Sequence, residues 1–365
     1  MVALNIGHSA VPLPPLGRGR GAGLNPQGRF ETISRHVFDD GWQTIDELPP
    51  FRTEVTEEKA RRIITRNESP DLPFDRSANA YRGCENGCVY CFARPTHSFM
   101  GLSAGLDFEA KLFAKPEAAA LLEKEIAAKG YECRPLALGT NTDPYQPIEK
   151  RYRITRQMLE VLEEANHPVG ILTKSSLVTR DIDILSRMAA KGLARVGISI
   201  TTLDRKLSRA MEPRCSNPAL RLDAVRQLSE AGIPTSVFVA PLIPALNDHE
   251  MERILDAAKA NGAVDAGFTV LRLPHEVRAI FKDWMLRNFP DRYRHTMQVL
   301  RSMRNGRDND ATFGVRMRGS GPYAWQIERR FEIAAKRLKL DAMRMPLRTD
   351  LFEPPIPVGG QLALL

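Results

Sequence analysis

Residues 84–91 read CENGCVYC, so Cys84, Cys88 and Cys91 fall within eight positions. Thiolates spaced C-x3-C-x2-C can converge on one metal centre from a single loop, and Gly83 and Gly87 let that loop turn tightly. Full protein ligation of a [4Fe–4S] cluster takes four cysteines. Three leave one iron open, and an open position is what separates catalytic metal sites from closed structural ones. The same residues also admit a structural zinc site with His97 as fourth ligand, because zinc takes Cys3His sets readily. Cys133 borders an expected strand and reads as a small buried hydrophobe. Cys215, in MEPRCSNP, follows the expected strand at 195–200 and could face the same cavity. Five cysteines is an odd count and no disulfide framework.

The segments that must position these residues alternate in type. PLALGT (135–140), VGILTK (169–174), RVGISI (195–200), TSVFVAPLI (235–243) and DAGFTVLRL (265–273) are short and uninterruptedly apolar, as buried parallel strands are. Between them PEAAALLEKEIAAKG, RQMLEVLEEAN, RDIDILSRMAAKG, PALRLDAVRQLSEAG and DHEMERILDAAKANG carry helical spacing, several ending at Gly or Asn. A strand through SANAYRG precedes the cysteines, which makes about six βα units. The expected fold is α/β, a partial (β/α)6 TIM-like barrel over 77–275. It carries a 31–76 extension on one side and a helical basic region, 276–348, on the other. Residues 1–30 and 349–365, rich in Pro and Gly and without periodicity, are expected to be a disordered N-terminus and a loose tail. In such barrels chemistry collects at the C-terminal ends of the strands. CENGC, GTNTDPYQP, TKSS, SITT and PLIPALND all follow strands. His249 and the Arg180-Asp181 pair read instead as helix-start residues.

Charge and hydropathy narrow the classes further. The chain has 365 residues and a net charge of +8. Residues 272–348 hold 18 Lys and Arg against 8 Asp and Glu, a net of +10, which leaves −2 for the rest. Such a region suggests DNA or RNA as a partner, and equally a solvated Arg-rich face. FGVRMRGSGPYAWQIERRF (313–331), with Arg316, Arg318, Tyr323 and Trp325, suits either a nucleic-acid contact or a lid. No apolar run approaches the roughly 20 residues of a membrane span, and the N-terminus lacks a stretch of signal-peptide length. The expectation is a cytoplasmic protein with no membrane partner.

The cysteine spacing, with Tyr90 before the last Cys, resembles the signature of the radical S-adenosylmethionine (radical SAM) superfamily. TNTDPYQPIE, LTKSS, ISITT and APLIPALND resemble the spore photolyase branch and the DNA repair photolyase-like bacterial proteins grouped with it. The resemblance spans about residues 77–340. It implies a [4Fe–4S] cluster on Cys84, Cys88 and Cys91, with S-adenosylmethionine chelating the open iron. It also implies an electron donor such as flavodoxin or ferredoxin. Reductive cleavage would give a 5′-deoxyadenosyl radical that abstracts a substrate hydrogen.

By the same resemblance, Thr142 and Asp143 would hold the amine of S-adenosylmethionine, and Lys174 its carboxylate. Ser199 and Thr201 would meet the ribose hydroxyl and carboxylate. Tyr90, Phe92, Ala240 and Pro241 would contact the cofactor, Tyr90 and the Val239–Pro241 stretch at its adenine. Asp143-Pro144 also reads as an ordinary turn, and Ser199 and Thr201 as hydroxyls packed in a barrel layer. One departure is specific. The spore photolyase branch has a hydrogen-donating cysteine where this chain has Thr140, and an alcohol donates hydrogen atoms far less readily than a thiol. The reading is a radical SAM enzyme of lyase or oxidoreductase type, acting on nucleic acid by another hydrogen-donor route. The alternatives are a radical SAM enzyme on a peptide or small molecule, and a nucleic-acid-binding protein with a Cys3His zinc site.

Overall fold

The computed structural model describes residues 19–30, 52–341 and 346–355. In chain order its elements are strands β1 (Glu54–Glu57), β2 (Ile64–Arg66), β3 (Arg76–Ala78) and β4 (Tyr81–Arg82), helix α1 (Leu106–Ala110), β5 (Lys111–Ala114), α2 (Ala118–Ile126), β6 (Leu136–Leu138), α3 (Glu149–Tyr152), α4 (Ile154–Glu164) and β7 (Val169–Thr173). There follow α5 (Ile182–Ala190), β8 (Ala194–Ser199), α6 (Arg205–Met211), α7 (Pro218–Glu230), β9 (Thr235–Leu242), α8 (Met251–Ala260), β10 (Asp265–Val270), α9 (Val277–Asn288), α10 (Pro290–Ser302) and α11 (Gly321–Leu338).

Seven strands form one sheet in the order β10-β9-β8-β7-β6-β3-β2. Its β3, β6, β7, β8, β9 and β10 are parallel, and β2 runs antiparallel to β3 at one edge. Six parallel strands with helical crossovers are the six expected βα units. The sheet stays open between β2 and β10. The apolar runs form strands because both faces of a parallel sheet are covered. Leu136, Val169, Val196, Ile198, Val237 and Val239 are fully buried. Helix α4 turns Ile154, Met158, Leu159 and Leu162 inward, and each such side chain contributes roughly 1.5–3 kcal/mol on burial. The edge strand β10 is capped by the C-terminal region: Ala266 N–H donates to Leu340 O at 3.1 Å and Val270 N–H to Met317 O at 2.9 Å. An unpaired strand edge is thereby covered. A second sheet, β1-β5-β4, was not visible as a pattern in the sequence.

Two expectations of disorder are corrected where residues are described; 1–18 and 356–365 lie outside the described residues. Residues 19–30 pack as a strap. The Gly21 and Ala22 N–H groups donate to the Glu109 carboxylate at 2.9 and 2.8 Å, and Arg20 donates to Glu109 O. Ala22 is buried with Ala104, Leu106 and Ile280. In the C-terminal tail, Phe352 packs edge-on against His167 with centroids 5.4 Å apart, and Glu353 N–H donates to Ala165 O. Polar anchors and isolated apolar contacts fix both segments, which hydrophobic periodicity cannot reveal.

Candidate active site at the strand ends

The cysteine loop leaves β4 and is held from several sides. Gly83 and Gly87 have φ of +73° and +66°. A Cβ on Gly83 would sit 2.9 Å from Phe108 O, and one on Gly87 would sit 2.8 Å from the Glu109 carboxylate. The turn therefore requires glycine at both positions. Arg94, fully buried, donates to Cys88 O at 2.9 Å and Gly87 O at 3.2 Å while paired with Glu109 at 2.5 Å. Gln146 accepts from Glu85 N–H at 2.9 Å, and Thr142 Oγ1 donates to Gly83 O at 2.6 Å. Cys84, Cys88 and Cys91 are free thiols, the first two buried. Burial pushes the Cys84 and Cys91 thiols up.

Asp143 joins this loop to the next strand. It accepts from Asn86 Nδ2 and Lys174 N–H on one oxygen, each at 2.9 Å, and from Thr173 Oγ1 and Tyr145 N–H on the other, at 2.6 and 2.9 Å. Its acceptor sites are thus filled by the protein. Asp143 thereby fixes the cysteine loop relative to the end of β7. Thr142 is likewise engaged, with Gly83 O and Gln146.

Lys174 is different. It directly follows β7, with its Nζ 5.8 Å from the Tyr90 ring centre. Among the described residues the ammonium has no hydrogen-bond or ion-pair partner. Burial alone would lower its pKa, but the neighbouring Cys88, Glu212 and Cys215 outweigh that and raise it. Ser199 Oγ donates to Ala240 O at 3.0 Å, which ties β8 to the end of β9. Ala240 and the following Pro241 are half-buried there. Phe92 stands apart from this cluster, more than half exposed beside Arg272.

A network around Glu212 is absent from the sequence reading. Glu212 is buried and accepts from Tyr90 OH, from Thr201 Oγ1 at 2.9 Å and from the buried Arg221. Arg221 also donates to Ser199 O at 3.0 Å and Ser216 O at 2.7 Å. Burial pushes the Glu212 carboxyl up, yet Arg221 and Lys174 outweigh it and hold it below its ordinary value. Burial and the Glu212 charge raise the Tyr90 phenol, which therefore stays protonated as a donor. Cys215 closes the group, its Sγ 3.7 Å from Cys88 Sγ. Cys133 is half-buried before β6.

His97 does not join the cysteines. Its Nε2 lies 2.9 Å from Lys111 O, and the ring packs edge-on against Phe108 and Phe113. Among the described residues no three His, Cys, Asp or Glu side chains gather closely enough to hold a single ion. Thr140 Oγ1 accepts from Asn79 Nδ2 at 3.1 Å. The Arg180-Asp181 pair and the turn at His249 start α5 and α8 as expected. Much of the basic C-terminal charge is internally paired: Arg316 with Asp71, Arg318 with Glu328, Arg329 with Glu332, Arg330 with Glu252 and Arg337 with Asp256. Tyr323 donates to Asp248, and Trp325 is exposed. Among the described residues no helix is long and apolar enough to cross a membrane.

Three free thiols on one glycine-turned loop, at the strand ends of an open six-unit α/β sheet, define a cluster-binding enzyme class. The radical SAM superfamily model matches residues 78–258. An uncharacterized protein of Mycobacterium tuberculosis is 35 % identical over 228 residues, covering 61 % of this chain and 67 % of that one. An uncharacterized protein of Methanocaldococcus jannaschii is 28 % identical over 243 residues, covering 66 % and 86 %. Among solved structures, a spore photoproduct lyase complexed with dinucleoside spore photoproduct superposes with a TM-score of 0.54 at 16 % identity, over 78 % of this chain and 79 % of that one. The chain belongs to the radical SAM superfamily, whose enzymes use a [4Fe–4S] cluster and S-adenosylmethionine. The site fits that pair of cofactors: three unbridged thiols suit the cluster, and the Lys174 ammonium, without a hydrogen-bond or ion-pair partner among the described residues, suits an anionic group beside it. The zinc-binding module gives way to this assignment.

Proposed function

We propose that this chain is a radical SAM enzyme acting on nucleic acid. Cys84, Cys88 and Cys91 hold the cluster, and Lys174 takes the carboxylate of S-adenosylmethionine. When bound, these cofactors would supply one-electron radical chemistry for hydrogen abstraction, the electron coming from a donor such as flavodoxin or ferredoxin. The chain's own residues position and enclose. Arg94 and Gln146 fix the backbone of the cysteine loop. Asp143 sets the distance between that loop and Lys174. Glu212, charged and buried, holds the Tyr90 phenol and the Thr201 hydroxyl, so the aromatic face stays oriented toward the cofactor. Ser199 and Ala240 line the adjoining strand ends.

The observation that carries the cofactor assignment is the half-buried Lys174 at the strand ends near Cys88, whose ammonium has no hydrogen-bond or ion-pair partner among the described residues. The net +10 over residues 272–348 supports a polyanionic substrate. So does the fold neighbour bound to a dinucleoside. The Thr140 hydroxyl, bonded to Asn79, favours a route in which this position donates no hydrogen atom.

The test is 5′-deoxyadenosine release by anaerobically reconstituted protein with dithionite and S-adenosylmethionine, alone and with DNA, RNA or an acidic peptide. Release stimulated by DNA or RNA supports the reading. Stimulation by the peptide alone moves the substrate to another class, and no release from a cluster-loaded protein removes the enzyme reading.

A further inference from the structure

Arg272 and Phe92 meet beyond the cofactor cluster. Phe92 directly follows Cys91, and its ring is 54 % exposed. Arg272 follows the C-terminal end of β10, and its guanidinium carbon lies 5.8 Å from the centre of that ring. It makes no ion pair among the described residues. Its one hydrogen-bond partner there is Met317 Sδ, 3.6 Å from Nη1 and a weak acceptor. Its Nε is buried with no partner. The carboxylate whose charge acts on Arg272, Asp71, is hydrogen-bonded elsewhere, accepting from Gly314 N–H at 2.7 Å and from Arg316. Two guanidiniums therefore share one carboxylate, and Arg272 holds the uncompensated charge. Burial and the adjacent Arg316 both push its pKa down from the usual arginine value, as expected of a cation lacking a counter-ion.

The neighbouring pair repeats the motif. The Arg316 guanidinium lies 4.6 Å over the ring of Phe313, itself 57 % exposed. Arg316 is held by Asp71 and Ser69, so of these two arginines it is Arg272 that offers a fork to a phosphate, while the exposed Phe92 and Phe313 rings offer faces to planar bases. A planar fork of N–H donors suits a phosphate, and an exposed ring suits a base of any sequence. A lone peptide carboxylate would engage the arginine and leave both rings without a role.

We propose that Arg272 and Phe92 form a nucleotide-recognition site beside the cysteine loop, Arg272 taking a backbone phosphate and Phe92 stacking the adjoining base. The inference rests on the nucleic-acid reading above and names its contact residues. It sets them at the entrance to the reacting centre, where they would present one nucleotide of a single or locally opened strand.

The experiment is fluorescence anisotropy with a labelled single-stranded oligonucleotide and the cluster-loaded protein, at several salt concentrations. Arg272→Gln should bind roughly tenfold more weakly, with a salt dependence shallower by about one phosphate contact. Arg272→Lys should recover part of the loss. Phe92→Leu keeps apolar bulk and loses the ring; it should weaken binding roughly fivefold or more with little change in salt dependence. That deficit should vanish on an abasic oligonucleotide. Affinity of Arg272→Gln for S-adenosylmethionine should match the wild type, and a parallel fall would overturn the site as a distinct one. If the wild type binds and neither variant changes affinity or salt dependence, the site is refuted while the nucleic-acid reading stands. If the wild type binds no oligonucleotide, that reading fails and the site with it.

Discussion

The Lys174 ammonium stands 5.8 Å from the centre of the Tyr90 ring, and the Tyr90 hydroxyl is pinned to Glu212. One side chain is thus free to bind and the other is held in place. Lys174→Met should lower affinity for S-adenosylmethionine roughly 10- to 100-fold, the cost of a charge-assisted hydrogen bond of about 1.5–3 kcal/mol. Iron content should be unchanged. Equilibrium dialysis of labelled S-adenosylmethionine reads the effect, and full affinity in the variant would remove Lys174 from the pocket.

Glu212 and Arg221 are buried partners, so removing one strands the other. Glu212→Leu or Arg221→Met alone should each destabilise the fold by about 3–5 kcal/mol. A Glu212→Leu, Arg221→Met double variant should lose much less than the two single losses added together. Chemical denaturation of the four proteins closes the cycle. Additive losses would mean that the pair does not interact.

Arg94 grips the cysteine loop through Cys88 O and Gly87 O, and Glu109 joins it to the strap of residues 19–30. Arg94→Met should release iron to a chelator at least about tenfold faster than wild type, on the scale of a broken buried pair. Deleting residues 1–30 should lower the thermal midpoint, because Ala104, Leu106 and Ile280 lose their cover. A truncated protein of unchanged midpoint would contradict the packing of the strap.

Two histidines set an acid limit. Burial depresses His97 and His167 from 6.5 to about 4 each. His167 Nε2 faces Tyr131 OH and Nδ1 faces Pro168 O, which suits a neutral ring; His97 Nδ1 is buried with no partner among the described residues. The native state therefore favours the unprotonated form. The stability this confers is full above about pH 6.5 and is lost as pH falls toward 4, on the order of 3 kcal/mol for each histidine. His167→Gln should flatten the fall across that window. Urea midpoints from pH 4 to 8 measure it, and a wild-type midpoint that does not decline below 6.5 would refute the assignment.

Much of the fold was readable because parallel strands covered on both faces need continuous apolar residues. VGILT and RVGIS could hardly be anything else. The cysteine loop and Lys174 were readable because thiol spacing and a cation ending a buried strand are local features. Glu212 was not: Tyr90 is 122 positions away, and nothing in MEPRCSNP marks its glutamate as buried. The strap at 19–30 looked disordered because Pro and Gly carry no periodicity, and its order comes from residues distant in sequence, among them Glu109, Asp107 and Glu276. The pairing of Arg316, Arg329 and Arg330 with acidic partners was equally hidden, so regional charge overstated the cations free to bind. Arg272 became distinct only once the others were seen to be paired.

The most direct test of the account is the electron paramagnetic resonance spectrum of the dithionite-reduced protein, recorded before and after adding S-adenosylmethionine. The account predicts a reduced [4Fe–4S] signal that shifts on addition in the wild type. It predicts much less shift in Lys174→Met, and no signal when Cys84, Cys88 or Cys91 is replaced by alanine. A full cluster signal that S-adenosylmethionine leaves unchanged in the wild type would contradict it.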